Sequence, residues 1–216
     1  MLSLSPGHLK EVEEILARLR HDVAFVYFTE ETHCRHCRQE KALLADLASL
    51  AAKLHLETHN FTTDQELADQ YGVDKVPGMV LVGQEDYGVR YYGMPSGFEF
   101  RPFMEDVVRV SRGESGLSAR SKSALGALAA PVRIEVLTQP ACPFSSPAIR
   151  LAHQLAIESR WITGDVVDLT DFPGLVEKYN ILAAPTVVVN EGHRFCGAGG
   201  QEEFVAEVVK GAGRSA

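Results

Sequence analysis

The sequence predicts an α/β protein built from two tandem units, each a central mixed β-sheet flanked by helices. Two observations carry that expectation. β-branched and aromatic runs alternate with stretches of helical periodicity, in the same order in both halves. The halves also share a spaced set of signals. Thr32-His33-Cys34-Arg35-His36-Cys37 returns in altered form as Pro140-Ala141-Cys142-Pro143-Phe144-Ser145, and Pro77 follows Cys34 at the distance at which Pro185 follows Cys142. The segment from Tyr71 to Pro77 precedes that from Tyr179 to Pro185 by the offset that separates the two cysteines, which identifies an internal duplication. The first copy keeps two thiols and the second keeps one, because Ser145 stands in the place of Cys37.

Each element has its own signal. In the first unit, residues 1–116, Leu9, Val12, Ile15, Leu16 and Leu19 mark one face of a leading helix, and Val23 to Phe28 reads as a central strand. After Cys37, Leu43, Leu44, Leu47, Leu50, Ala51 and Leu54 recur at helical spacing, so the cysteine motif sits at the start of a long helix. A strand near Leu56 to Phe61, a short helix from about Asp64 to Tyr71, strands Met79 to Val82 and Val89 to Tyr92, and a helix through Phe100, Phe103, Val107 and Val110 complete the unit. Ser111 to Ala130 is rich in Ser, Gly and Ala, with Leu117, Ala124, Leu125 and Leu128 marking a linking helix that Pro131 closes. The second unit, residues 117–216, follows that helix with strand Val132 to Leu137, helix Phe144 to about Arg160, strand Gly164 to Leu169, helix Gly174 to Tyr179, strands Thr186 to Val189 and His193 to Cys196, and helix Gln201 to Lys210. The repeat shifts register in the last hairpin, where Gly93 matches Gly197 and Phe100 matches Phe204.

Composition narrows the function. A chain of 216 residues with 45% apolar content can fill two compact cores. A net charge of −8 argues against nucleic acid as a partner, since phosphate binding relies on clustered Lys and Arg. The stretch from Met1 to His8 lacks the basic and apolar segments of a secretory signal, and no run reaches membrane-spanning length. A soluble, cytoplasmic protein without a membrane partner is expected. Four cysteines are too few for a stapled secreted scaffold, and C-x-x-C beside βαβ patterning reads as redox.

The chemistry follows from helix geometry. A cysteine at the mouth of a helix faces N–H groups without intrahelical partners, and the positive end of the dipole favours thiolate over thiol. Cys34 is therefore the expected attacking thiol and Cys37, three residues on, the resolving one. Arg35 and His36 add cationic character that should lower the Cys34 pKa, and Glu30 and Glu31 oppose it. Val76-Pro77 and Ala184-Pro185, each opening a strand opposite a cysteine motif, are expected to be cis and to shape a groove for an extended peptide. Cys142 is either a monothiol nucleophile or a remnant in a structural domain. Cys196 is either a small core residue near a strand end or a secondary thiol. His33 and His36 are poorly spaced to join Cys34 and Cys37 in a zinc tetrahedron, and no metal site or bound organic cofactor is expected. His55, His59, His153 and His193 read as surface or core histidines.

His33-Cys34-Arg35-His36-Cys37, the segment from Gly88 to Gly97 with Glu99-Phe100, Cys142-Pro143-Phe144 and Arg150-Leu151-Ala152-His153 together resemble the protein disulfide oxidoreductases of the glutaredoxin-like, tandem-thioredoxin family. The likeness covers nearly the whole chain. It implies two thioredoxin-like units packed as one rigid molecule, both prolines cis, and exchange of disulfides with other proteins, recycled by a thioredoxin-reductase-like flavoenzyme. It also implies that Cys196 ends its strand close to Cys142, because the turn after the last strand returns to the active-site face. Family members usually carry C-x-x-C in both units, and Ser145 departs from that pattern. The N-terminal region of the alkyl hydroperoxide reductase flavoprotein is similar in architecture but keeps its working pair in the second unit. A cytoplasmic dithiol-disulfide oxidoreductase working through Cys34 and Cys37 is the expected function. The alternatives are a glutathione-linked or peroxidase-feeding electron carrier and a non-catalytic thioredoxin-fold scaffold.

Overall fold

The computed structural model describes residues 6–30 and 34–213. Glu31, Thr32 and His33 of the first motif lie outside the described residues, and so does the start of the N-terminal segment, Met1–Ser5. The first half runs α1 (Pro6–Leu16), β1 (Val23–Thr29), α2 (Cys37–Ser49), β2 (Leu54–Asn60), α3 (Gln65–Gln70), β3 (Gly78–Val82), β4 (Asp86–Tyr92), a single 3-10 turn (Gly97–Glu99) and α4 (Phe100–Arg112). The linking helix α5 (Ala119–Leu125) leads into β5 (Val132–Thr138), α6 (Ser145–Glu158), β6 (Ile162–Asp168), α7 (Gly174–Lys178), β7 (Thr186–Val189), β8 (His193–Cys196) and α8 (Gln201–Ala212).

Leu54, expected among the helical positions after Cys37, instead opens β2 and pairs with Val23, while α2 stops at Ser49. A short apolar interval cannot separate the end of a helix from the start of the next buried strand.

Strand order is β2-β1-β3-β4-β6-β5-β7-β8 in one sheet. Within each half, one parallel pair (β1 with β2, β5 with β6) precedes two antiparallel ones. The halves join where β4 runs parallel to β6, with Val89 opposite Gly164 and Tyr92 opposite Val167. Because successive strand residues face opposite sides, a sheet covered on both sides needs near-continuous apolar runs. Val23, Phe25 and Tyr27 of β1 accordingly join one core and Val26 and Phe28 the other. The first core lies under α1, α2, α4, α6 and α8 and is continuous across both halves. The second lies under α3 and α7.

Gly88 to Gly93 forms the joint. Gly88 has φ +78, and a Cβ there would stand 2.6 Å from the Ile162 carbonyl oxygen, so only glycine lets β4 approach β6. Beside it, the Tyr91 hydroxyl donates to Asp106 Oδ2 at 2.8 Å, and His153 Nδ1 meets the same oxygen at 2.7 Å. His153 Nε2 donates to the Gly164 carbonyl at 3.0 Å, and Arg109 donates to Asp106 Oδ1 at 2.8 Å. Both ring nitrogens of His153 thus have partners, and Asp106 is also the buried member of an ion pair with Arg109. Asp106 and His153 are both fully buried. His153 is thus a core histidine with a purpose, tying α4, β4, α6 and β6 together. Removing one member of such a pair strands the other charge, which costs about 3–5 kcal/mol. Asp106→Ala is expected to lose stability on that scale in urea unfolding, and a loss under about 1 kcal/mol, the range of an exposed pair, would refute the role given to this network.

Candidate active site

The first cysteine motif leaves the end of β1 and enters α2. Cys37 is the first residue of that helix and is buried, while Cys34 just outside it is half-buried. They are joined as a disulfide with α-carbons 5.5 Å apart, and the Cys37 N–H donates to Cys34 Sγ at 3.1 Å. The helix entrance therefore presents a backbone donor to the outer sulfur, the arrangement that favours negative charge on it when the pair is reduced. Of the expected tuning residues, Arg35 is exposed. His36 is half-buried and its Nδ1 lies 2.5 Å from Asp171 Oδ1, a carboxylate of the second half. That pairing offsets whatever positive charge His36 brings to the sulfur.

Beneath Cys37 lies a residue that the sequence did not single out. Glu40 is fully buried on the same helix face, and the Tyr27 hydroxyl lies 3.1 Å from the Cys37 carbonyl and 3.4 Å from Glu40 Oε2. Burial, reinforced by the charge of Asp171, pushes the Glu40 carboxyl up to about 8. Burial raises the Tyr27 hydroxyl well above its ordinary value, with Glu40 adding to the effect. Nothing in a single sequence marks Glu40 as buried, since glutamate on a helix is ordinarily a surface residue.

The second motif has the same frame and different bonds. Cys142 is half-buried; its S–H donates to the Ala184 carbonyl at 3.2 Å, and the first amide of α6, Ser145 N–H, goes to the Cys142 carbonyl at 3.3 Å. Ser145 is fully buried with its hydroxyl bonded to Thr138. Glu99, from the first half, sits against this site. Burial pushes its carboxyl up to about 8, helped by Asp168 and opposed by a hydrogen bond from Thr138, with Cys142 and Asp171 adding smaller upward effects. Asp168 is itself raised by burial. The chains cross tightly here: Gly97 (φ +53) leaves no room for a Cβ against the Pro140 carbonyl, which accepts the Phe98 N–H at 2.9 Å.

Val76-Pro77 and Ala184-Pro185 are both cis. Pro77 and Pro185 are buried, Val76 and Ala184 half-buried. The contact of Cys142 with Ala184 places the second proline loop directly against its cysteine. Cys196 ends β8, but it is exposed, which corrects its reading as a core residue: β8 is the edge of the sheet, and its last position lies open. Cys142 and Cys196 are both free thiols. His193, by contrast, is buried and paired with Glu207 Oε2 at 2.5 Å. Among the described residues there is no group of three or more His, Cys, Asp or Glu arranged to hold a metal ion, and no helix is long and apolar enough to cross a membrane.

Glu40 and Glu99 make stability depend on pH. Glu40 and Glu99 ordinarily ionise near 4.5 and are held up at about 8 in the fold. Between those values the unfolded chain has lost protons that the native state keeps, so stability falls as pH rises. The contribution is complete below about 4.5 and gone above about 8, with a ceiling of about 1.4 kcal/mol per pH unit for each group. Glu40→Gln is expected to flatten the fall in urea-unfolding free energy between about pH 5 and pH 8; a slope equal to that of the parent protein would contradict the buried neutral acid.

Comparison with known proteins agrees with this geometry. The family model described as "Thioredoxin domain" matches residues 132–210. A probable thioredoxin of Methanothermobacter marburgensis is 34% identical over 78 residues, which cover 34% of this chain and 87% of that protein. Over the whole length, the crystal structure of a protein disulfide oxidoreductase from Aeropyrum pernix superposes with a TM-score of 0.90 at 28% identity, covering 99% of this chain and 95% of the other. An alkylhydroperoxide reductase from Enterococcus faecalis shares the fold, with a TM-score of 0.88 at 23% identity over 95% of this chain and 99% of the solved one.

Proposed function

The chain belongs to the thioredoxin family and is a disulfide oxidoreductase, and on that premise we propose that it exchanges disulfides with cytoplasmic proteins through Cys34 and Cys37. The observation that carries this reading is the Cys34–Cys37 disulfide at the entrance of α2, in a fold shared over its full length with a protein disulfide oxidoreductase. Free thiols at Cys142 and Cys196 suit a reducing compartment. The reductant implied by the family resemblance is a thioredoxin-reductase-like flavoenzyme.

In the reductive direction, the Cys34 thiolate attacks a substrate sulfur, forms a mixed disulfide and releases the first substrate thiolate. The half-exposed position of Cys34 and the donated Cys37 N–H suit it to that step, and the Val76-Pro77 loop forms the wall against which the substrate chain lies. Cys37 then attacks the Cys34 sulfur, releases the second substrate thiolate and closes the disulfide. Cys37 is buried, so its proton has to leave through the protein. Glu40, buried one helical turn on, is the base that takes it, acting in the fraction of molecules in which its carboxyl, raised to about 8, is ionised. The labour divides between the unit of residues 1–116, which holds this complete pair, and that of 117–216.

Insulin reduction tests the assignment. Cys34→Ser is expected to abolish turnover and Cys142→Ser to leave most of it; the reverse ranking would sink the proposal. Cys37→Ser should accumulate substrate mixed disulfides on Cys34, visible by mass spectrometry, because no other thiol of the motif can release them. Replacement of Pro77 is expected to raise KM for the protein disulfide more than replacement of Pro185 does, and equal effects would remove Pro77 from the groove.

A further inference from the structure

The second motif bonds its free sulfur differently from the disulfide of the first. Cys34 Sγ accepts a helix amide, whereas Cys142 gives its S–H to Ala184, the residue before cis-Pro185. Position 145 cannot release anything captured by Cys142: it is a hydroxyl, fully buried and bonded to Thr138. A thiol does lie on the far side of the same proline. Thr186 pairs with Cys196 across β7 and β8, its Oγ1 3.7 Å from Cys196 Sγ, and the Pro185 carbonyl accepts the Gly197 N–H at 2.9 Å. Ala184, Pro185 and Cys196 line one open groove of about 460 Å³ together with Pro143, Phe144 and Ala198.

We propose that Cys142 and Cys196 form a second dithiol site, spanning cis-Pro185, for disulfides flanked by apolar side chains. Cys142 attacks one sulfur of the substrate disulfide; a Cys142–substrate bond forms, the substrate S–S bond breaks and the first substrate thiolate leaves. Cys196 attacks the Cys142 sulfur, closes a Cys142–Cys196 disulfide and expels the second thiolate. Two protein thiols are oxidised, one disulfide is reduced, and the two thiol protons end on the two product thiols through solvent. A disulfide needs α-carbons about 4.4–6.8 Å apart. Gly197, at φ +73 with open space about it, follows Cys196 directly and leaves that side of the thiol uncrowded. Phe144, 72% exposed, lines the groove, and Leu182, 90% exposed, precedes its lining residue Ala183; both select apolar neighbours. On the other side of Cys196 lie Glu203 and Glu207, which disfavour an anionic partner such as glutathione disulfide.

The site is independent of the first pair, so it is tested in the full chain carrying Cys34→Ser and Cys37→Ser, where failure leaves the insulin result of the parent protein untouched. The reduced variant is treated with one equivalent of dithiodipyridine, a neutral aromatic disulfide, at a concentration where the chain is monomeric. Two thiopyridones released per disulfide, no adduct mass and a Cys142–Cys196 peptide in the digest are expected. One thiopyridone released and a lasting pyridyl adduct on Cys142 would overturn the site. Adding Cys196→Ala must convert the first outcome into the second, and continued release of two would equally refute Cys196 as resolver. Cystine peptides flanked by Phe are expected to react roughly tenfold faster than those flanked by Glu, the scale of an apolar contact, and equal rates would reject the substrate class.

Discussion

The parallel pairing of β4 with β6, clamped by the Tyr91–Asp106–His153 network, is the constraint on which the molecule depends. Without it there would be two small sheets, each with an unprotected parallel edge at the centre of the chain, and each half would close its core alone. With it, one sheet and one apolar core run through both halves. A buried aspartate between a histidine ring, a tyrosine hydroxyl and an arginine is satisfied on every side, and that completeness makes a buried charge tolerable. The segment from Gly88 to Gly93, so distinctive in the sequence, is this joint, and its last residue donates to the Pro77 carbonyl.

The joint also makes the two thiol sites share their surroundings. Asp171 of the second half reaches His36 in the first motif, and Glu99 of the first half is buried against Thr138 and Cys142 in the second. Each half completes the other's site. The carboxyls gathered there are costly to ionise together in a low-dielectric seam, so burial and mutual repulsion raise Glu40 and Glu99 to about 8.

The divergence of the second motif shows how little has to change for a thiol site to turn. With Ser145 drawn into a bond with Thr138, the amide of the helix entrance goes to a carbonyl and the free sulfur turns to the proline loop. Around the second proline loop, Cys142 bonds Ala184 and Cys196 pairs with Thr186, the first thiol half-buried and the second on the sheet edge.

The duplicated spacing by itself determined the α/β class, the element order, the cysteine pair and the two cis prolines, because these are local matters of periodicity, helix entrance geometry and distance along the chain. Leu54 escaped because one apolar residue at the right spacing fits a helix end and a strand start alike. What only the tertiary structure decided concerns contacts between residues far apart in sequence. His36 and Asp171 belong to different halves, and the repeat places no matching acid in the first; Glu40 is one glutamate among many on helices until α2 is laid against Tyr27; Cys196 is as small and apolar as a core residue until β8 proves to be the sheet edge. Burial and charge pairing are properties of the assembled sheet, and the joint of β4 with β6, absent from the repeat itself, sets them.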